Sequence, residues 1–259
     1  MISSVHNKEL SSKFTRVIRK NHEDAAALHE PSGRLSAGQL GKPLLEQVLK
    51  IIGVPGKPVD DYALGIFLRG NTVEDTVISL AKSLGATETQ KEVMYRGVIG
   101  YIDLIVDGDI IEVKSIKNSQ VDYIDPECDK KVRSPEGLVP KYSGPKWAHV
   151  LQGGLYALAE KKDTFTVLYV SADDFRTYPH VINTADVKTE IDNIINEVAT
   201  QLKTGQLPAW KAREDWQDKY REYSAYPEWI ELDPETAMGK LERQFPDAFR
   251  KLQSFIPSA

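Results

Sequence analysis

The sequence predicts an α/β fold in which strands are flanked by helices, and three observations carry that reading. Apolar residues fall at helical spacing over 36–52 and 66–84, a β-branched block over 93–115 is divided by an Asp-Gly turn, and helix and strand patterns alternate from 147 to 202. With 259 residues and 41% hydrophobic composition, the chain has ample material for a packed core, which excludes intrinsic disorder for most of its length.

In chain order, residues 1–34 are polar and mixed, carry a basic cluster at Lys13, Arg16, Arg19 and Lys20, and read as an arm. From Ser36 to Ile52, Leu40, Leu44, Leu45, Val48, Leu49 and Ile52 form one apolar stripe, with Ser36 placed to cap the helix start and Gly53 its end. A loop with Pro55, Gly56 and Pro58 leads to a second helix over about 66–84, whose buried stripe is Val73, Val77, Leu80, Ala81 and Leu84 and whose stop is Gly85. Strands follow at 93–95, 98–106 and 109–115, and Asp107-Gly108 is a two-residue hairpin turn. Residues 116–144 show neither period, carry Pro126, Pro135 and Pro140, and form a long loop of the kind used as a lid or binding segment. A helix over 147–159, strands over 165–172 and 176–182, and an amphipathic helix over 187–202 ended by Gly205 complete the pattern. The tail, 206–259, is helical, aromatic and charged.

Composition narrows the function. No apolar run approaches the ~20 residues of a membrane helix, and the first residues are charged where a signal peptide is apolar, so no membrane association or export is expected. The single cysteine, Cys128, excludes an intramolecular disulfide, a multi-cysteine zinc site and a four-cysteine iron–sulfur cluster, and fits a reducing cytoplasm. The net charge of −5 means that any nucleic acid must be held by a local basic surface or through metal ions.

The hairpin carries the chemistry. A two-residue turn at 107–108 sets Val106 opposite Asp109, Ile105 opposite Ile110, Leu104 opposite Ile111 and Asp103 opposite Glu112. Side chains alternate along strands, so Lys114 shares the face of Glu112, while Ile102, Leu104, Val106, Ile111 and Val113 point to the opposite, apolar face. Two facing carboxylates repel and need a cation: Lys114, a metal ion, or both. On pattern alone this is equally the solvated polar face of an edge hairpin. As a site, Asp103, Glu112 and the Val113 carbonyl provide hard oxygen ligands for Mg²⁺ or Mn²⁺, and Lys114 can orient an attacking water and stabilise charge on a phosphate.

These residues resemble a known family. Gly100-Tyr101-Ile102-Asp103, the turn, and Ile111-Glu112-Val113-Lys114 look like the PD-(D/E)xK nuclease core. Two flanks are similar to its RecB-like exonuclease branch. Gln152 and Tyr156, in His149-Val150-Leu151-Gln152-Gly153-Gly154-Leu155-Tyr156, match the Gln-x-x-x-Tyr helix motif that follows the strands. Leu68-Arg69-Gly70-Asn71-Thr72-Val73-Glu74 stands where the branch has Gly-x-x-x-His or Glu, here with Glu74. The likeness covers residues 35 to about 210 and rests on the order of these motifs. It implies a restriction-endonuclease-like core with a mixed central sheet flanked by helices, helical extensions at both ends, and a C-terminal extension over 211–259 packed on the same domain.

The resemblance also implies roles. Glu74, which by pattern alone is a surface residue, becomes a third metal ligand beside Asp103, Glu112 and Val113. Gln152 and Tyr156 line the cleft and touch DNA, with Tyr156 able to stack or hydrogen-bond. Ser36, by pattern a helix cap, and Arg69 are further DNA contacts. His149 reads as structural or a minor contact, and Gly153 and Gly154 as close packing under the sheet. By charge alone, Lys130, Lys131 and Arg133, with Lys117, Lys141 and Lys146, can carry phosphate contacts, offset by the loop's own acids; the loop either closes over the substrate or is a merely solvated excursion. Members that close the fold with an iron–sulfur cluster fit poorly, because Trp210 to Trp229 holds Trp216, Tyr220, Tyr223 and Tyr226 and no cysteine, so aromatic packing is expected there.

The expected function is metal-dependent hydrolysis of DNA phosphodiesters with Mg²⁺ or Mn²⁺, as an exonuclease acting on ends or single strands in recombination, repair or replication, with proteins of those processes as partners. The alternatives are a structure-specific or flap endonuclease and a non-catalytic DNA-binding subunit. A sugar- or nucleotide-metabolising metal hydrolase lacks its Gly-rich phosphate loop or histidine cluster here.

Overall fold

The structure is a computed structural model that describes residues 8–27, 33–134 and 137–257. Its centre is a mixed five-stranded sheet in the order β1-β2-β3-β6-β7: β1 (Ala86–Tyr95), β2 (Val98–Val106), β3 (Asp109–Ile116), β6 (Thr164–Ser171) and β7 (Thr177–Asn183). The β1–β2, β2–β3 and β6–β7 pairs are antiparallel, and β3–β6 is parallel. The Asp107-Gly108 turn forms as expected, both residues at positive φ (51° and 84°), and sets the pairs Val106–Asp109, Ile105–Ile110 and Leu104–Ile111.

Helices cover both faces. On one side, α2 (Leu44–Ile52), α5 (Trp147–Glu160), α6 (Thr184–Thr204) and the C-terminal helices α9 (Pro234–Gln244) and α10 (Pro246–Gln253) close the main core, with Leu49, Leu151, Ile191, Leu241 and Leu252 buried. On the other, α3 (Asp61–Ser83) closes a smaller core of Val73, Ala81, Leu104, Val113 and Val170. Apolar burial in these two layers supplies the main driving force, of about 25 cal/mol per Å² removed from water. No described helix is long and apolar enough to cross a membrane.

The structure departs from the sequence reading at several points. The stretch from Ser36 to Ile52 is two elements, a 3-10 turn over Ala37–Gln39 and then α2, because Pro43 lacks the N–H that a continuous helix needs and sits at the cap of the second. Ser36 opens the short turn, where its N–H donates to Gln39 Oε1 at 3.2 Å. Helix α3 begins a turn earlier than expected, with Asp60 accepting from Ala63 N at 2.7 Å; Leu80 and Leu84, assigned to its buried stripe, are exposed. Residues 8–27 form α1 (Lys8–Ala27), held to α3 by Arg19–Asp61 and by His22 stacked on Phe67. None of the described side chains of α1 joins either core, and of its apolar residues Phe14 and Val17 are exposed.

The long loop is partly built: α4 (Asn118–Val121) and an antiparallel hairpin of β4 (Lys131–Ser134) and β5 (Gly137–Pro140) occupy it. Strands of four residues are too short to show an alternation. Pro135 and Glu136 of that loop lie outside the described residues. In the tail, Tyr226 and Trp229 do pack inside, but Trp216, Tyr220 and Tyr223 are exposed, so only part of the expected aromatic packing forms.

Candidate active site

The site lies where β2, β3 and α5 meet. Lacking a side chain, Gly153 lets α5 settle onto the sheet: a Cβ there would stand 2.6 Å from Phe165 Cδ2 and 3.6 Å from Glu112 Cβ. Gly100 does the same on β2, where a Cβ would stand 2.4 Å from Tyr156 Cε1. The consequence is that the polar face of the hairpin is roofed over. Glu112 is 0% exposed and Asp103 7%, which excludes the solvated-edge reading.

The two carboxylates are held differently. The β2–β3 ladder ends at Leu104–Ile111, short of the expected Asp103–Glu112 pair, and the β1–β2 ladder passes over Asp103, whose Oδ2 instead accepts the Val113 N–H at 2.7 Å. Across from it, Gln90 sits at φ 52°, and Ile102, expected on the face of Leu104, packs with the main core instead. Glu112 Oε1 forms an ion pair with Lys114 Nζ, yet neither carboxylate oxygen accepts a hydrogen bond of normal geometry. A buried carboxylate so poorly satisfied is costly.

Electrostatics follow from that burial. Desolvation pushes the Glu112 carboxyl up to about 8, with Asp103 and Glu74 adding to the rise and Lys114 opposing it. Asp103 is raised by burial against the pull of Lys114 and the Val113 amide. Glu74 is raised by burial and by Asp103, with Lys114 and Gln90 opposing. Burial alone would lower Lys114, but Glu112, Asp103 and Glu74 outweigh it and keep the ammonium charged. Asp103, Glu112, Lys114 and Glu74 thus form one coupled set.

Glu74 does not close that set into a triad. Its Oε1 accepts from Gln90 Nε2 at 2.8 Å, and among the described residues no three His, Cys, Asp or Glu side chains are gathered as a metal-binding group. The donor set that fits a hard cation is therefore the Asp103–Glu112 pair, in which the buried Glu112 oxygens lack hydrogen bonds of normal geometry, with Glu74 within electrostatic reach.

Two clefts open over these residues. The larger, of about 760 Å³, contains Lys114, Lys42, Lys146, Trp147, Trp216 and Gln152 in its lining. The smaller, of about 240 Å³, contains Asp103, Ser36, Gln90, Tyr101, Gln152 and Tyr156. Gln152 borders both, so it stands between the acid and the base sides of the site.

The remaining expected residues divide. Ser36 reaches the smaller cleft, brought there by a parallel bridge to Ile99. Tyr156 is 2% exposed and cannot stack on a base; its hydroxyl accepts from Gln152 Nε2 at 2.8 Å and so positions Gln152. Arg69 is half-buried on α3 and lines neither cleft. His149, expected as structural or a minor contact, lines the larger cleft and is held from behind: the Tyr169 hydroxyl accepts from Lys146 N at 2.8 Å and shares a hydrogen bond with His149 Nδ1 at 3.0 Å. Burial, with the Lys114 and Lys146 charges, lowers His149 to about 3, and burial pushes Tyr169 up to about 12. In the loop, Lys130 and Lys141 are both paired with Asp122, whereas Lys146 faces the larger cleft.

Sequence reasoning missed Gln90, Lys42, Trp147 and Trp216. For the first three no local pattern marks a site, and Trp216 lies about a hundred residues from Lys114 in the chain.

No protein-family model matches this chain, and no curated protein matches it. Among solved structures, the chain is similar to the crystal structure of SSO0001, with 19% identity over 80% of this chain and 92% of that one and a TM-score of 0.47. It is also similar to an alkaline exonuclease, LHK-Exo, from Laribacter hongkongensis (13% identity, 66% of this chain, 90% of that chain, TM-score 0.44) and to LHK-Exo in complex with dAMP (13%, 74%, 95%, 0.45). Similarity at this level does not establish shared chemistry, which has to come from this chain's own residues.

Proposed function

We propose that this protein is a metal-dependent deoxyribonuclease of the RecB-like kind, hydrolysing phosphodiester bonds at DNA ends or in single strands, in the cytoplasm and in the service of recombination, repair or replication. The observation that carries the reading is Glu112: fully buried, paired with Lys114 Nζ yet with no hydrogen bond of normal geometry on either carboxylate oxygen, beside a lysine that lines the larger cleft. A carboxylate kept in that state at a cost to folding is the mark of a functional site rather than of a structural one.

In this reading Asp103 and Glu112, with the Val113 carbonyl, would hold Mg²⁺ or Mn²⁺, and Glu74 would join from α3. When bound, such an ion neutralises phosphate charge and lowers the pKa of water. Lys114 Nζ does the rest from the larger cleft: it orients the attacking water and meets the charge that develops on the phosphate oxygens. Gln152, fixed by Tyr156, and Ser36 supply donors to the flanking phosphates on the other side. Arg69 has no place in this contact set, since it lines neither cleft.

One observation favours a second reading, a non-catalytic DNA-binding subunit: Glu74 is engaged by Gln90 and the three acids are not gathered. End-labelled linear single-stranded DNA and a closed single-stranded circle, each incubated with Mg²⁺, Mn²⁺ or EDTA, separate the readings. Metal-dependent loss of the linear substrate alone is the expected result. Cutting of the circle moves the assignment to an endonuclease, and no cutting of either with either metal moves it to the binding subunit.

A further inference from the structure

The larger cleft holds more than a hydrolytic site requires. Two indoles, Trp147 in the first turn of α5 and Trp216 in α7 (Asp215–Lys219), line it and are left 38% and 49% exposed. Among the described residues neither stacks on another ring. Large apolar rings left in water inside a cleft lack the burial that usually accounts for a tryptophan. Trp216 is moreover pinned, because its Nε1–H donates to Glu214 Oε2 at 3.0 Å. That bond also occupies the one acid that lines the cleft.

Charge on the same walls is positive. Lys42 and Lys146 line the cleft with Lys114, and among the described residues neither Lys42 nor Lys146 makes an ion pair. The lining thus sets three lysines against one acid, Glu214, which is within electrostatic reach of Lys146, on a chain of net charge −5. Aromatic rings interleaved with unpaired cations suit a ligand that alternates flat apolar faces with negative charges.

We propose that this cleft binds unpaired nucleotides, with bases stacked on Trp147 and Trp216 and the adjacent phosphates held by Lys42 and Lys146. Bases in a duplex are already stacked on one another and present no free face, whereas those of a single strand do. The substrate class is therefore single-stranded nucleic acid, accepted with little sequence preference because every base has a face to stack. The proposal rests on the nuclease reading only in that Lys114 borders the same cleft.

The test is binding without cleavage. Fluorescence anisotropy in EDTA compares the full chain and its variants on labelled oligothymidylate, on an abasic strand of equal length, and on duplex. Trp147→Ala and Trp216→Ala are each expected to weaken oligothymidylate binding about tenfold, Trp147→Phe and Trp216→Phe to restore most of it, and none of the four to change binding of the abasic strand. Lys146→Ala should weaken both single strands alike. Alanine variants that bind oligothymidylate as the parent does overturn the proposal, and so does an equal loss on the abasic strand, which would make the indoles packing residues. Parent protein that binds in this indole-dependent way but leaves DNA uncut overturns the hydrolytic reading and leaves this one standing. DNA cutting with indole-independent binding does the reverse.

Discussion

Lys114→Ala is expected to abolish DNA cleavage, lowering the rate by about 10³-fold or more, while the protein stays folded. Among the described residues Lys114 is the one cation paired with Glu112, and it also lines the larger cleft, so no other ion pair replaces it beside the reacting phosphate. Its loss leaves Glu112 without a counterion. With its carboxyl already pushed up to about 8, Glu112 relieves that loss by holding a proton, which is why the fold is expected to survive. Single-turnover cleavage of linear single-stranded DNA, beside far-UV circular dichroism, measures both halves. Retained cleavage contradicts the role given to Lys114, and loss of the fold makes the residue structural.

Glu112→Gln should have two opposite effects, eliminating cleavage and stabilising the metal-free protein at alkaline pH. The carboxyl titrates near its usual value of 4.5 in the unfolded chain and near 8 in the folded one. Between those values the folded chain holds a proton that the unfolded chain has released, so stability falls as pH rises through that window and levels off above it. Asp103 and Glu74 are shifted in the same direction and deepen the fall. Glutamine keeps the shape of the protonated acid and has nothing to lose, so in EDTA at pH 8 the variant is expected to be more stable by on the order of 3 kcal/mol. For a chain of this size that amounts to a rise of about 5–10 °C in Tm. Thermal unfolding in EDTA at pH 5 and pH 8 checks the sign: the difference between variant and parent should be small at the lower pH and large at the higher. A difference that does not depend on pH contradicts the account.

The hairpin shows why part of this site could be read from the chain. Asp107-Gly108 is a turn that leaves two residues between strands, and once it is recognised the pairing from Leu104 to Ile111 and the common face of Glu112 and Lys114 follow from geometry alone. Burial of that face does not follow. It depends on α5 lying across β3, and Gly153-Gly154 announces close packing without saying on what. For the same reason Tyr156, two helical turns along the same helix face as His149, looked free to stack and is instead sealed against the Gly100 backbone.

Other misses have local causes. The break before α2 was readable, since Gly41 and Pro43 interrupt the apolar stripe, but a strong period on both sides masks it. Of the stripe positions, Leu80 is exposed although Val77 and the next residue, Ala81, meet the smaller core, so it lies on the outer side of that contact, and Leu84 is the C-cap beyond the helix. Trp216 and Lys42 meet at the cleft only through the fold of a distant segment, so their place in the site rests wholly on long-range packing.

The central claim is that Asp103 and Glu112 are a cation site, and calorimetric titration of the metal-free protein with Mn²⁺ tests it most directly. The account predicts one ion bound at the parent site with release of protons near pH 7, since Glu112 must ionise to bind, and loss of that binding in Asp103→Asn and in Glu112→Gln. Binding of equal strength in the parent and both variants, or none in any of them, would contradict it.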